Sequence, residues 1–280
     1  MSYALPVPTT RLSHEDRAAL EAAVAALEKT SFARRLAQLA GRQIGFAGKV
    51  MPPQLQQASA LAARRALEAG LRVALRSLDG KPARDGRLRH RQLAMASGAL
   101  GGAIGFAGLP LELPISTTIM LRAIADIARS EGEDLSDPQT AMACLEVFAL
   151  GGHGEGEKVM EGGYLALRGL FAKSVSDAAT YVAQNAAATE SAPALARLIG
   201  ALSSRFGLVV SQKTAAQAAP IFGALGGAVV NLAFTEHFQN LAQGHFTVRR
   251  LERAYGQYEV RSEYVRIARE AGFWKKEAEV

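Results

Sequence analysis

The sequence predicts an all-α protein, a multi-helix bundle around two Gly/Ala-rich central helices. Three observations lead there. Apolar residues make up 49% of the 280 positions but aromatics only 6%, so alanine and leucine carry much of the apolar content, a helix-favouring mixture. Apolar residues recur at helical spacing along most of the chain, and no alternating β-branched run is long enough for a sheet. The hexapeptide Gly-Ala-Leu-Gly-Gly-Ala occurs twice, at 98–103 and 223–228, inside the uncharged stretches 92–111 and 214–235. Small residues three and four apart give a helix a smooth face that another backbone can approach closely.

The elements follow in order. Residues 1–11 carry two prolines and read as an irregular arm. Ser13 with Asp16 marks a helix N-cap, and Leu20, Val24 and Leu27 give residues 14–30 an apolar stripe. A second helix is expected over 32–50, stopped by Pro52-Pro53. The third, 54–79, sets Leu67, Leu71, Leu75 and Leu78 on one stripe and Arg65, Arg72 and Arg76 on another face. Residues 80–91 form a basic connection, and the first uncharged stretch follows. Pro114 with Ser116 and Thr117 predicts a helix start, ending near Gly132. Asp137 before Pro138 predicts the next N-cap, with a stop at Gly151-Gly152. Residues 151–163, with six glycines, His153, Glu155 and Glu157, look the least ordered of the middle region. Helices are expected over 164–185 and 193–213. The proline-free interval from Pro220 to Gly256 allows one long helix, uncharged in its first half and polar in its second. A last helix covers 257–271.

Charge is unevenly spread. The net value is +6, but residues 1–91 hold 16 Lys/Arg against 7 Asp/Glu, whereas 112–161 hold 3 against 10. A basic N-terminal helical region, 1–91, is thus set off from a helical core, 92–272. An apolar stripe beside a basic face makes Arg65, Arg72 and Arg76 candidates to face an anionic membrane. Nucleic acid is not the expected partner, because base-stacking aromatics are scarce there and no known module is visible. The start MSYALPVPTTRL lacks the features of a secretory signal, so a cytoplasmic location is the expectation. The single Cys144 excludes an intrachain disulfide, and its apolar setting predicts a buried, inert thiol.

Two polar clusters carry any chemistry. Thr118, Arg122, Asp126 and Arg129 share one face of the 114–131 helix, with Glu131, Glu133 and Asp134 at its end; an Arg122–Asp126 pair one turn apart is the simplest reading. On the long helix, Arg249 and Glu252 lie within about 40° of His245 in projection and His237 about 80° from it. Histidines and carboxylates together would suit a divalent metal, although no H-E-x-x-H motif is present. A metal-dependent hydrolase using Glu131, Glu133, His237 and His245 is therefore the alternative to a binding role. Insertion of the two Gly-rich stretches into the bilayer is a third reading.

The runs GLPLELPISTTIMLRAIADIARSEGEDL, CLEVFALGG and PIFGALGGAVVNLAFTEHFQNLAQGHFTVRRLERAYG resemble the bacterial EcsC family, over roughly residues 95–265. The resemblance singles out Arg122, Asp126, Glu131, Glu133, Asp134, Glu146, His237, Gly244, His245, Arg249 and Glu252. It implies a membrane-associated accessory or binding protein, linked to an ABC transporter or other membrane transport machinery. It carries no defined reaction. The expectation is a protein peripheral to the inner membrane, with a polar pocket or a buried ion network between segments 118–134 and 237–252.

Overall fold

The computed structural model describes residues 12–29, 32, 36, 53–77, 109–151, 163–185, 192–218 and 223–274. Among them are eight helices and no strands. They are α1 (His14–Lys29), α2 (Pro53–Ser77), α3 (Leu109–Ser130), α4 (Pro138–Leu150), α5 (Gly163–Gln184), α6 (Pro193–Ala218), α7 (Gly223–Tyr255) and α8 (Gln257–Glu270). The all-α reading holds. The first Gly-Ala-Leu-Gly-Gly-Ala segment, the 80–91 connection, most of the expected 32–50 helix and the glycine-rich residues 152–162 lie outside the described residues. The second hexapeptide opens α7, whose 33 residues span on the order of 50 Å.

Local signals set most helix ends. Ser13 Oγ accepts from the Asp16 amide at 3.0 Å and the two side chains are 3.0 Å apart, so the expected cap forms. Asp137 caps α4 by accepting from the Gln139 amide at 2.9 Å, with Pro138 in the first turn. Gly256, at φ +92°, ends α7 and turns the chain into α8. Two boundaries differ, one at the end of α6, which runs on to Ala218 past the expected 213. The helix expected to begin at Pro114 already begins at Leu109, and Pro114 lies inside it. Pro110 sits in the first turn, where no amide donor is needed, and Ser116 Oγ donates to the Leu113 carbonyl at 3.1 Å.

Helix α7 is the axis of the bundle, packed by α1, α3, α4, α6 and α8, while α2 lies across α3 and α6. The scarce aromatics gather where α4, α6 and α7 meet. Phe148 and Phe206 have ring centroids 5.0 Å apart, Phe234 and Phe238 5.1 Å, and Phe32 lies 5.7 Å from Phe234. Such edge-to-face pairs add about 0.5–1.5 kcal/mol each beyond their buried area.

Helix α1 lays Leu20, Ala23, Val24 and Leu27 on α7. Their approach is close because Gly244 has no side chain. A Cβ there would stand 2.8 Å from Leu27 Cγ and 3.1 Å from the Ala23 carbonyl oxygen. Gly244→Ala must push α1 away, at about 1–3 kcal/mol. In a chain this size we expect a melting temperature lower by roughly 2–12 °C; an unchanged melt would show that the helices are not so tightly apposed.

Candidate functional site

Two of the sequence-predicted clusters do meet, through arginines. Glu133, in the turn between α3 and α4, takes a two-pronged contact from Arg249 of α7: Nε to Oε1 at 2.8 Å and Nη2 to Oε2 at 2.9 Å. Arg253 Nη1 adds a third donor and Thr140 Oγ1 a fourth at 3.0 Å. Burial alone would push the Glu133 carboxyl up, but Arg249 and Arg253 outweigh it and hold it below 4.5. Its stabilising contribution is present above that value and fades as pH falls through the folded one. Glu131 binds Arg250 Nε at 2.9 Å and Gln243 Nε2 at 2.5 Å, and Arg250 also reaches Asp16 of α1 at 2.9 Å. Tyr255 completes that corner, donating to Asp16 at 2.6 Å.

The expected pocket between segments 118–134 and 237–252 is thus occupied by side chains in an ion network. Asp134 is exposed and folds back on Ser136, accepting from its amide at 2.9 Å. Arg122 is exposed on α3 and borders a cavity of about 40 Å³ shared with Cys144. Asp126 lies 3.8 Å from Arg129, which is its recorded ion pair instead of the expected Arg122. Cys144 is buried, and burial pushes its thiol up to about 12, as befits an inert core residue.

The histidines sit elsewhere. His237 is buried against Phe32, Phe238 and the backbone of Gly151, where a Cβ would meet His237 Nε2 at 2.8 Å. His245 is buried beside Tyr164 of α5, with Nδ1 3.0 Å from the tyrosine oxygen. Glu131 and Glu133 point to arginines instead of these rings, and among the described residues no three His, Cys, Asp or Glu converge to hold a metal. The hydrolase arrangement of Glu131, Glu133, His237 and His245 is not brought together.

A different constellation does form around His245. Arg168, one turn along α5 from Tyr164, grips Glu252 with both guanidinium nitrogens, at 2.9 and 2.7 Å. Glu146 of α4 is buried, and its Oε1 has no hydrogen-bond partner among the described residues. Burial pushes its carboxyl from 4.5 up to about 7, against the pull of Arg168 and Arg249. The folded protein therefore keeps a proton that the unfolded chain releases near 4.5. Stability falls as pH rises from about 4.5 to about 7, by about 3 kcal/mol in total. Glu146→Gln removes that loss. In urea titrations the variant should match the parent near pH 4.5 and exceed it by up to about that margin at pH 8; a constant difference across pH would assign the effect to packing alone.

A second buried charge was not anticipated. Lys213 of α6, fully buried, donates to Glu112 Oε1 and Oε2 at 2.8 and 2.9 Å and to Asn231 Oδ1 at 2.9 Å. Its ammonium also stands 4.5 Å from the Phe234 ring centroid. The signal was present in the sequence: Glu112 is the only charge between Arg91 and Arg122, and Lys213 the only one between Arg205 and Glu236. Two lone opposite charges in apolar surroundings call for one another. Lys213→Met should cost about 3–5 kcal/mol by stranding Glu112, and Glu112→Leu in the same chain should recover most of it. Chemical denaturation of the single and double variants reads this directly, and strictly additive losses would count against the pairing.

The geometry defines a class: a helical bundle pinned by interior ion pairs, with its candidate site in the α4–α5–α7 junction. The description of the EcsC protein family matches residues 18–251, and the chain belongs to that family. The match reaches back through α2 into α1, well before the residue 95 at which the sequence resemblance begins. No curated protein and no solved structure matches.

Proposed function

We propose that this EcsC family protein is a cytoplasmic accessory factor that binds the anionic inner face of the membrane, in support of transport or envelope processes. One observation supports the reading most. The solvent side of α2 combines Leu61, 50% exposed, with exposed Arg65 and Arg72 one and three turns further on. Leu208 of α6, 43% exposed, lies next to Gly207, where a Cβ would fall 3.9 Å from the Ala60 Cα of α2. Exposed leucines and arginines are therefore carried on neighbouring helices. Apolar side chains would enter the headgroup boundary while guanidinium groups meet lipid phosphate. The side chain of Arg76 lies outside the described residues.

One helix, α6 over Pro193–Ala216, is long and apolar enough to cross a membrane, with 39% of its most apolar window buried. It holds the buried Lys213 and packs on α2, α4, α5 and α7, so surface association requires no unfolding of the bundle, whereas insertion would break the Lys213–Glu112 pair. The accessory role beside membrane transport machinery rests on the family likeness alone.

Vesicle flotation tests the proposal. The protein should rise with vesicles containing anionic lipid and far less with neutral ones, and added salt should release it. Arg65→Ala with Arg72→Ala removes two basic residues worth about 1 kcal/mol each and should weaken association roughly thirty-fold, with an unchanged thermal melt. Equal partitioning onto both vesicle types, or none, rejects the reading.

A further inference from the structure

Helix α4 runs antiparallel to α7. Its C-terminal end meets His237, Phe238 and Leu241 at Gly151, and Phe148 stacks near Phe238 at 5.2 Å. Its N-terminal end is tied through Thr140 and Glu133 to Arg249. Glu146 lies between these two ties on α4, and His245 lies between them on α7. Tyr164 and Arg168 of α5 close the third side, since α4 and α5 pack together.

The polarity of this junction can be read atom by atom. His245 is buried beside Arg168 and Arg249, whose charges and the dry surroundings keep the imidazole neutral. One ring nitrogen therefore carries a proton and the other does not. Tyr164 is hydrogen-bonded on one side to His245 Nδ1 at 3.0 Å and stands against the Arg168 guanidinium on the other. A hydroxyl beside a guanidinium turns its oxygen to the cation and its proton away. Tyr164 thus donates to Nδ1, and the imidazole proton must sit on Nε2. That N–H is buried with no hydrogen-bond partner among the described residues, and so is the acceptor Glu146 Oε1. An orphaned buried donor and an orphaned buried acceptor each carry a desolvation penalty that a shared partner removes.

We propose that His245 Nε2 and Glu146 Oε1 together hold one small hydroxylic ligand, of which water is the smallest, at the α4–α5–α7 junction. The ligand oxygen accepts from Nε2–H and its O–H donates to Oε1. A carboxylate or phosphate would not suit, because it would bury a further negative charge beside Glu133 and Glu252. Arg168 and Arg249 are already engaged by Glu252 and Glu133, so no cation is left there to draw an anion in. The site is independent of the membrane-binding face, and its test does not use lipid.

Nitrogen-15 NMR of the whole chain tests this. Long-range spectra should show His245 as the Nε2–H tautomer, and that proton should show a through-space cross-peak to water in the parent and in Glu146→Gln, which keeps the acceptor oxygen. Glu146→Leu should lose the cross-peak. An Nδ1–H tautomer, absence of the water cross-peak in the parent, or its survival in Glu146→Leu overturns it. The parent readings decide the matter even if the leucine variant does not fold.

Discussion

The paired contact between Glu133 and Arg249 governs where the rest of the interior lies. It joins a short turn to the middle of the longest helix, and Thr140 extends the tie into the first turn of α4. A fork-to-carboxylate contact fixes orientation as well as distance, which a single point charge would not. With α4 anchored at that end, its uninterrupted buried run, Thr140 to Leu150, can lie only along the bundle axis. Glu146 is carried inside as part of that run.

The interior accommodates charge in two contrasting ways. Lys213 and Glu112 cancel one another across α6 and α3, with Asn231 Oδ1 accepting a further hydrogen bond from the ammonium. Glu146 has cations nearby but none committed to it, so it gains neutrality by holding a proton instead. The first arrangement costs desolvation and returns a fixed register between helices. The second leaves a group whose charge state changes near neutral pH, which a merely structural core would do better with leucine or glutamine.

Much of the architecture could be read in the residues. Ser13, Asp137 and Gly256 punctuate helices by local chemistry that needs no partner from elsewhere, and all three act as their types predict. Pro114 misled because its effect depends on position within a helix, and the true start at Leu109 follows no Ser, Thr, Asp or Asn that would mark it in the sequence. The meeting of Glu133 with Arg249 was partly legible, since both fell in polar clusters singled out by spacing. What they would do together was not, because helical projection gives the face of a residue and says nothing of its neighbour. Tyr164 and Arg168 were invisible as site residues for the same reason: neither is unusual on its own helix, and only side-chain contacts made in the folded bundle join them to His245 and Glu252.

Glu28 binds together parts of the chain made far apart in time. It accepts from the Tyr264 hydroxyl at 2.8 Å across 236 positions, from the Trp274 indole at 3.1 Å, and from the Tyr164 amide at the start of α5 at 3.1 Å. Gly163, at φ +43°, leaves room for it, as a Cβ would fall 2.1 Å from the carboxylate. During synthesis at about 5–20 residues per second, α1 emerges tens of seconds before its long-range partners. Through that interval Leu20, Val24 and Leu27 have no α7 to cover them. The apolar face of α1 therefore stays uncovered until α7 has been made, a consequence of pairing an early helix with a late one.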